Sequence, residues 1–213
     1  MCTETFLRLP EEKRKRFLDA AWEEFVSVSK ADASINQIVR RAGIPRGSFY
    51  QYFTDKEELF GYLMEHVIGH LISEYRKIME QAGGDIFRTQ EMCFDRVARL
   101  GSGADALFAR GLRIAQLNPG LLPQAAMAGQ LMSRIFETVR DVIDTSELRS
   151  KEEIFIAHIF GLTLVALAVA VMECLKEPEN TDVFRQSLLT QLNIIEHGSL
   201  AVNAGRAEKE DTI

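Results

Sequence analysis

The chain has 213 residues, 46% of them hydrophobic and 26% charged, so it can bury a core of ordinary size and does not read as disordered. A net charge of −6 with a pI near 5.4 argues against a molecule that coats nucleic acid nonspecifically over its whole surface. Three scattered cysteines, Cys2, Cys93 and Cys174, read as free thiols of a reducing cytosol rather than as a disulfide framework or zinc site.

The charge is unevenly placed. Residues 1–54 hold nine Lys/Arg against seven Asp/Glu, and the remainder holds sixteen against twenty-four. Between Lys30 and Thr54 four basic residues face a single acid, Asp32. A small, mildly basic unit therefore precedes a larger acidic one, and only the first is electrostatically suited to phosphate contact. The opening stretch lacks the apolar run of a secretion signal.

In chain order, nearly every segment reads as helix, and the alternation expected of strands is absent. After Pro10 a helix carries Phe17, Ala21, Phe25 and Val28 on one face. A second starts at Ser34 with a predicted capping box to Gln37, and has Ile35, Ile38, Val39 and Ala42 at i, i+3, i+4 and i+7. Gly43 closes it where a left-handed residue is needed. Pro45 opens a short third helix, and Thr54 with Glu57 predicts another capping box that starts a long fourth helix ending at Gly83-Gly84.

Helix, glycine turn and short helix together predict a helix-turn-helix. At about 100° per residue, Phe49 and Phe53 fall on the core side. Gln51 points away from them, near Gly47 and Ser48, while Tyr50 and Tyr52 flank that exposed stripe. Such a helix suits the DNA major groove: amide or small side chains meet base edges, and hydroxylated aromatics reach the phosphate walls. Arg46 can reach a guanine edge or a phosphate, and Lys56 places a charge in the first turn of the next helix.

The segment "SINQIVRRAGIPRGSFYQYFTDKEELF" resembles the N-terminal signature of the TetR family of transcriptional regulators, over about Leu9 to Leu63. The resemblance implies an all-α fold, with a three-helix DNA-binding domain (residues 1–54) and a helical effector-binding and dimerisation domain (55–198). It places DNA contacts at Ser34, Asn36, Arg46, Gly47, Ser48, Tyr50, Gln51, Tyr52 and Lys56. One departure is Pro45, where many members carry a capping serine. Residues 199–213 read as a frayed tail.

Beyond Gly84, helices are expected over 85–100, 104–117, 121–144, 151–176 and 181–197. The stretch Ile154–Met172 has no formal charge and raises the membrane question. Charges of both signs flank it, so a buried helix is expected and no membrane partner. Small residues Ala157, Gly161 and Ala168 permit close approach, and Phe184, Leu188, Leu192 and Ile195 form one stripe. In the resembled family the last two long helices pair with their copies, which assigns these seven residues to a homodimer contact. Phe87, Met92, Phe94, Phe108, Met127, Met132 and Phe136 are candidates to line a cavity for an apolar effector, which the resemblance implies.

His66 and His70 stand at i, i+4 without an evident third ligand and read as a surface pair. No nucleophile elbow, phosphate loop or dinucleotide fingerprint occurs, so neither a cofactor nor an enzyme activity is expected. The expectation is a cytoplasmic dimeric repressor that binds a palindromic operator and is released by a small molecule. The alternative is a DNA-binding regulator whose C-terminal domain answers to a protein partner.

Overall fold

The structure is a computed structural model and describes residues 2–99, 105–120 and 130–200. Its helices are α1 (Glu4–Leu7), α2 (Glu11–Phe25), α3 (Ile35–Ala42), α4 (Arg46–Tyr52), α5 (Lys56–Gln81) and α6 (Ile86–Ala98). They continue as α7 (Ala106–Leu117), α8 (Gln130–Val139), α9 (Glu153–Lys176) and α10 (Thr181–Ser199), with a 3₁₀ turn at Pro178–Asn180. Among the described residues, extended backbone pairs only at one isolated bridge, Leu148 with Leu200. The fold is all-α. Of the helix expected over 121–144, the part from 121 to 129, with Met127, lies outside the described residues, as does the expected tail from 201.

The described residues form two compact units. The first holds α1–α4, α5 as far as Ser73, and α7. Its core is aromatic: Phe6, Phe17, Phe25, Phe49 and Phe53 are each at most 1% exposed. The Phe17 and Phe53 rings stack at 5.9 Å, and Phe6 meets Phe53 at 4.9 Å. Burying each such side chain contributes about 1.5–3 kcal/mol, which lets so small a unit hold its shape. The periodicity of α2 explains the placement, since Phe17, Ala20, Ala21, Glu24 and Phe25 share its inner face.

Helix α7 grips this unit at several points. The Lys30 amide donates to Asn118 Oδ1 at 2.9 Å, and Arg113 Nε donates to the Val26 carbonyl at 3.3 Å. The Arg110 guanidinium lies 5.5 Å from the Trp22 ring centroid. Gly111 sits so close to α5 that a Cβ there would come within 2.6 Å of a Val67 methyl. At the start of α7, Asp105 caps the helix through the Phe108 amide and pairs with His70 Nε2 at 2.6 Å. His66 instead hydrogen-bonds the Tyr62 carbonyl through Nδ1, so the two rings of the i, i+4 pair serve different partners.

The second unit holds the end of α5 with α6, α8, α9 and α10. Gly84, with φ +85°, is fixed by close backbone approach: a Cβ there would stand 2.2 Å from the Val142 carbonyl oxygen. Arg76 makes a bidentate pair with Asp141, both contacts at 2.8 Å, and Arg185 meets Asp95 at 2.7 Å. Helix α9 buries Ile159, Phe160, Thr163, Ala166, Leu167, Ala170 and Cys174 on one side. Its other side presents Ile154, Leu162, Val165 and Val169 at 66, 58, 48 and 50% exposure. It is long and apolar enough to cross a membrane by length and composition, and a third of its most apolar stretch is buried within the chain.

This arrangement corrects two residues of the expected contact set. Leu188 and Leu192 are 0 and 2% exposed and belong to the core of their own unit, while Phe184 and Ile195 are half-buried. A Cβ built on Gly161 would stand 3.4 Å from the Met132 methyl, and Ala157 and Ala168 are half-buried. The outward residues of α10 are Val183 and Ile194, at 64 and 68% exposure. The strongest stripe on α10 is consumed internally, because the helix must first close its own core.

Candidate nucleic-acid interface

Helix α3 ends at Gly43, whose φ of +64° and ψ of 39° are left-handed, and the Ile44 amide returns to the Val39 carbonyl at 3.1 Å. Pro45 then stands one residue before α4, in an extended conformation that suits the position before a helix. The seven-residue α4 is held from below by Phe49 and by Phe53, which ends it in extended backbone.

The opposite side of α4 is open. Gln51, Arg46 and Gly47 are exposed, Ser48 is half-buried, and Tyr50 is 49% exposed. Nothing lies within 4 Å of a Cβ built on Gly47, so the fold itself does not require a glycine there. Arg46 is held by neighbours: its guanidinium donates to Asn36 Oδ1 and, at 3.2 Å, to the Tyr50 hydroxyl. Asn36, Arg46 and Tyr50 therefore form one polar cluster spanning α3 and α4, with Gln51 exposed on α4.

Two of the expected DNA contacts need correction. Tyr52 does not flank the exposed stripe; it is 9% exposed, with its ring 5.8 Å from Phe6 and 5.7 Å from Phe17. The cause is α1, a single turn too short to show periodicity, which delivers Phe6 over that flank. Thr3 secures it, its amide donating to the Tyr52 carbonyl at 3.1 Å and its hydroxyl to the Gln51 carbonyl at 2.6 Å. Lys56 is not a free charge, because its Nζ donates to the carbonyls of Ala31 and Ala33 at 2.6 and 3.1 Å. It braces the α2–α3 connection.

Neither capping box forms as expected. Ser34 precedes α3 without a side-chain cap bond, and Gln37 Oε1 is buried without a partner. The cap is supplied from α2 instead. Glu24, 5% exposed, accepts the Ser34 amide at 2.9 Å through one oxygen and pairs with Arg41 at 2.5 Å through the other. Its position on the Phe17–Ala21–Phe25 face was the available signal that this acid is turned inward. At α5 the box is shifted by one residue: Asp55 accepts the Glu58 amide at 2.8 Å, and Glu58 reaches back to the Thr54 amide at 2.7 Å.

In the second unit, Phe87 and Met92 line an open groove of about 420 Å³, together with Asp85, Arg88, Glu91, Asp95 and Glu196. The walls are largely charged. Burial, with the nearby Asp85 adding, pushes the Glu196 carboxyl above its ordinary range. Deeper in this unit, Gln90 is fully buried and its Nε2 donates to the Tyr75 hydroxyl at 2.9 Å and to Thr163 Oγ1 at 3.1 Å. Gln90 Oε1 has no partner. An orphaned buried acceptor of this kind costs about 1–3 kcal/mol. Among the described residues no group of three or more His, Cys, Asp or Glu side chains is placed to hold a metal.

Residues 17–63 match the family model described as bacterial regulatory proteins, tetR family. The chain carries the TetR-family DNA-binding domain. SrpR, an HTH-type transcriptional regulator of Pseudomonas putida, is 47% identical over 49 residues, 23% of each chain. The TetR-family match thus spans about a quarter of that relative's length. Among solved structures, SmeT, described as the repressor of the Stenotrophomonas maltophilia multidrug efflux pump SmeDEF, superposes with a TM-score of 0.60 at 18% identity, covering 93% of this chain and 94% of its own. A structure described as a SmeT–triclosan complex gives 0.59 at 20% identity, covering 91% and 94%. At these identities the likeness is one of fold alone, and it runs along most of the chain. SrpR, matched through this domain, is described as a transcriptional regulator.

Proposed function

We propose that this chain is a cytoplasmic, homodimeric transcriptional regulator, a repressor that leaves a palindromic operator when a small, largely apolar molecule fills its second unit. The observation that carries the reading is the two-sidedness of α4: Phe49 is sealed at 0% exposure beneath it, while Arg46, Gly47, Tyr50 and Gln51 stand open above. Base edges are read by Gln51 and Arg46, phosphates by Tyr50, and Gly47 admits close approach of the duplex. Asn36 and Ser34 lie beside them at the start of α3.

Two-fold pairing follows from the same logic. One seven-residue helix spans only a few base pairs, and a dimer presents two at half-sites about 34–36 Å apart. The exposed stripe Ile154, Leu162, Val165 and Val169 on α9, with Val183 and Ile194 on α10, is the contact face. Within the first unit, α7 and the residue after it hold the α2–α3 connection through Arg113 and Asn118. A ligand acts by binding one arrangement of the regulator better than another. The triclosan complex of SmeT is the precedent among proteins of this fold.

Selection of genomic fragments by the full-length protein, repeated with candidate small molecules, tests the reading. Enrichment of a two-fold symmetric sequence that one class of compound abolishes supports it. Failure to retain any duplex at low ionic strength defeats it.

A further inference from the structure

Arg46 opens α4 and Asn36 stands in the first turn of α3, so a bond between them crosses the glycine turn. Both residues are exposed, yet the guanidinium is pinned on two sides. One Nη donates to Asn36 Oδ1 and the other, at 3.2 Å, to the Tyr50 hydroxyl, and the guanidinium carbon lies 5.9 Å from the Tyr50 ring centroid. Arginine carries donors only, so the Asn36 atom that faces it is the oxygen. The Tyr50 ring is anchored in turn, nearly perpendicular to the buried Phe49 ring at 5.3 Å. Hydrogen bonds so open to water add little to stability. Their consequence is orientation.

We propose that Asn36 is a positioning residue that, with Tyr50, presets Arg46 to read a guanine, and that Asn36 acts on DNA through Arg46 rather than by a contact of its own. A phosphate accepts a charged donor from many directions, so a phosphate contact gains little from a fixed guanidinium. A guanine edge offers two acceptors, N7 and O6, in one plane, and rewards a fork already held in place. A free arginine loses rotamer entropy at each binding event, whereas here that loss is incurred on folding. The inference rests on the reading of the chain as a DNA-binding regulator, and names the base for Arg46 and the role of Asn36.

The test uses the full-length protein and the duplex recovered by fragment selection, resynthesised with 7-deazaguanine at one guanine at a time. That base keeps Watson–Crick pairing and replaces N7 by C–H. Anisotropy titrations are expected to find a guanine in each half-site where the swap weakens wild-type binding about tenfold. In Asn36→Ala the penalty falls to about threefold, because the released arginine must be ordered anew. The salt slope stays unchanged there, since no charge is lost. In Arg46→Ala the penalty vanishes, and adding Asn36→Ala weakens binding no further. Both positions are exposed, so these variants keep the fold. Nitrogen-15 relaxation of the Arg46 Nε–H in the free protein gives a second readout, restricted in the wild type and mobile in Asn36→Ala. Four results overturn the proposal and leave the regulator reading standing: tight binding with no guanine sensitive to N7, a penalty undiminished in Asn36→Ala, an additive loss in the double variant, or an Arg46 equally mobile in both proteins. Retention of no duplex at all defeats both.

Discussion

Glu24 and Arg41 meet at 2.5 Å, and the carboxylate that makes this pair also caps the helix on which Arg41 stands. The two partners are unequal in burial, with side chains 6% and 37% exposed. Losing Arg41 strands a buried charge, whereas losing the charge of Glu24 leaves Arg41 access to water. Arg41→Met is therefore expected to cost about 3 kcal/mol. Glu24→Gln, which keeps an acceptor for the Ser34 amide, is expected to cost about 1 kcal/mol. Urea denaturation of both variants decides it, and equal losses would mean that carboxylate burial does not set the cost.

Lys56 is held by two carbonyls rather than left for phosphate. Substituting methionine removes a charged donor from the α2–α3 connection and is expected to cost about 1.5–3 kcal/mol of stability. The slope of log K against log salt for operator binding should stay unchanged. A slope shallower by about one would restore Lys56 to the phosphate contacts.

Gln51 is exposed and Gly47 has empty space around a built Cβ, so neither substitution should harm the fold. Gln51→Ala is expected to shift base preference by about 1–3 kcal/mol at one position of each half-site. Gly47→Ala should leave the melting temperature the same or slightly higher, since alanine favours helix by about 1 kcal/mol, yet weaken operator binding. Anisotropy titrations beside thermal melts separate the two effects. Unchanged affinity in Gly47→Ala would show that this part of α4 does not approach DNA closely.

The exposed apolar stripe and the buried one give opposite outcomes under the same change. Leu162→Glu or Ile194→Glu should yield folded monomers, because those side chains are 58 and 68% exposed. Leu188→Glu places a charge at a fully buried site and should unfold the second unit. Sedimentation velocity and circular dichroism distinguish these. A dimer that tolerates both surface changes moves the contact elsewhere.

Much of this was legible in the residues. The left-handed glycine at 43, the prolines at 10 and 45, and the apolar spacing of Phe17, Ala21 and Phe25 fix the helices and their inner faces by local rules. Non-local contacts were not legible. A helical wheel put Tyr52 on an open flank because it cannot know that residues 3–6 fold back across it. The first capping box failed for the same reason: Glu24, ten residues away, takes the Ser34 amide that Gln37 was expected to take. For α10 the period was right and the direction ambiguous, since an apolar stripe looks alike whether it meets its own unit or another chain. Gln90 gave no pattern at all, and only packing reveals its unpaired oxygen.

The clasp of Thr3 onto the last turn of α4 has a practical side. An affinity tag or fluorescent protein fused just ahead of Thr3 would emerge beside the proposed DNA-facing side of α4, and is expected to blunt recognition without disturbing the fold. Labels for binding work belong at the opposite terminus.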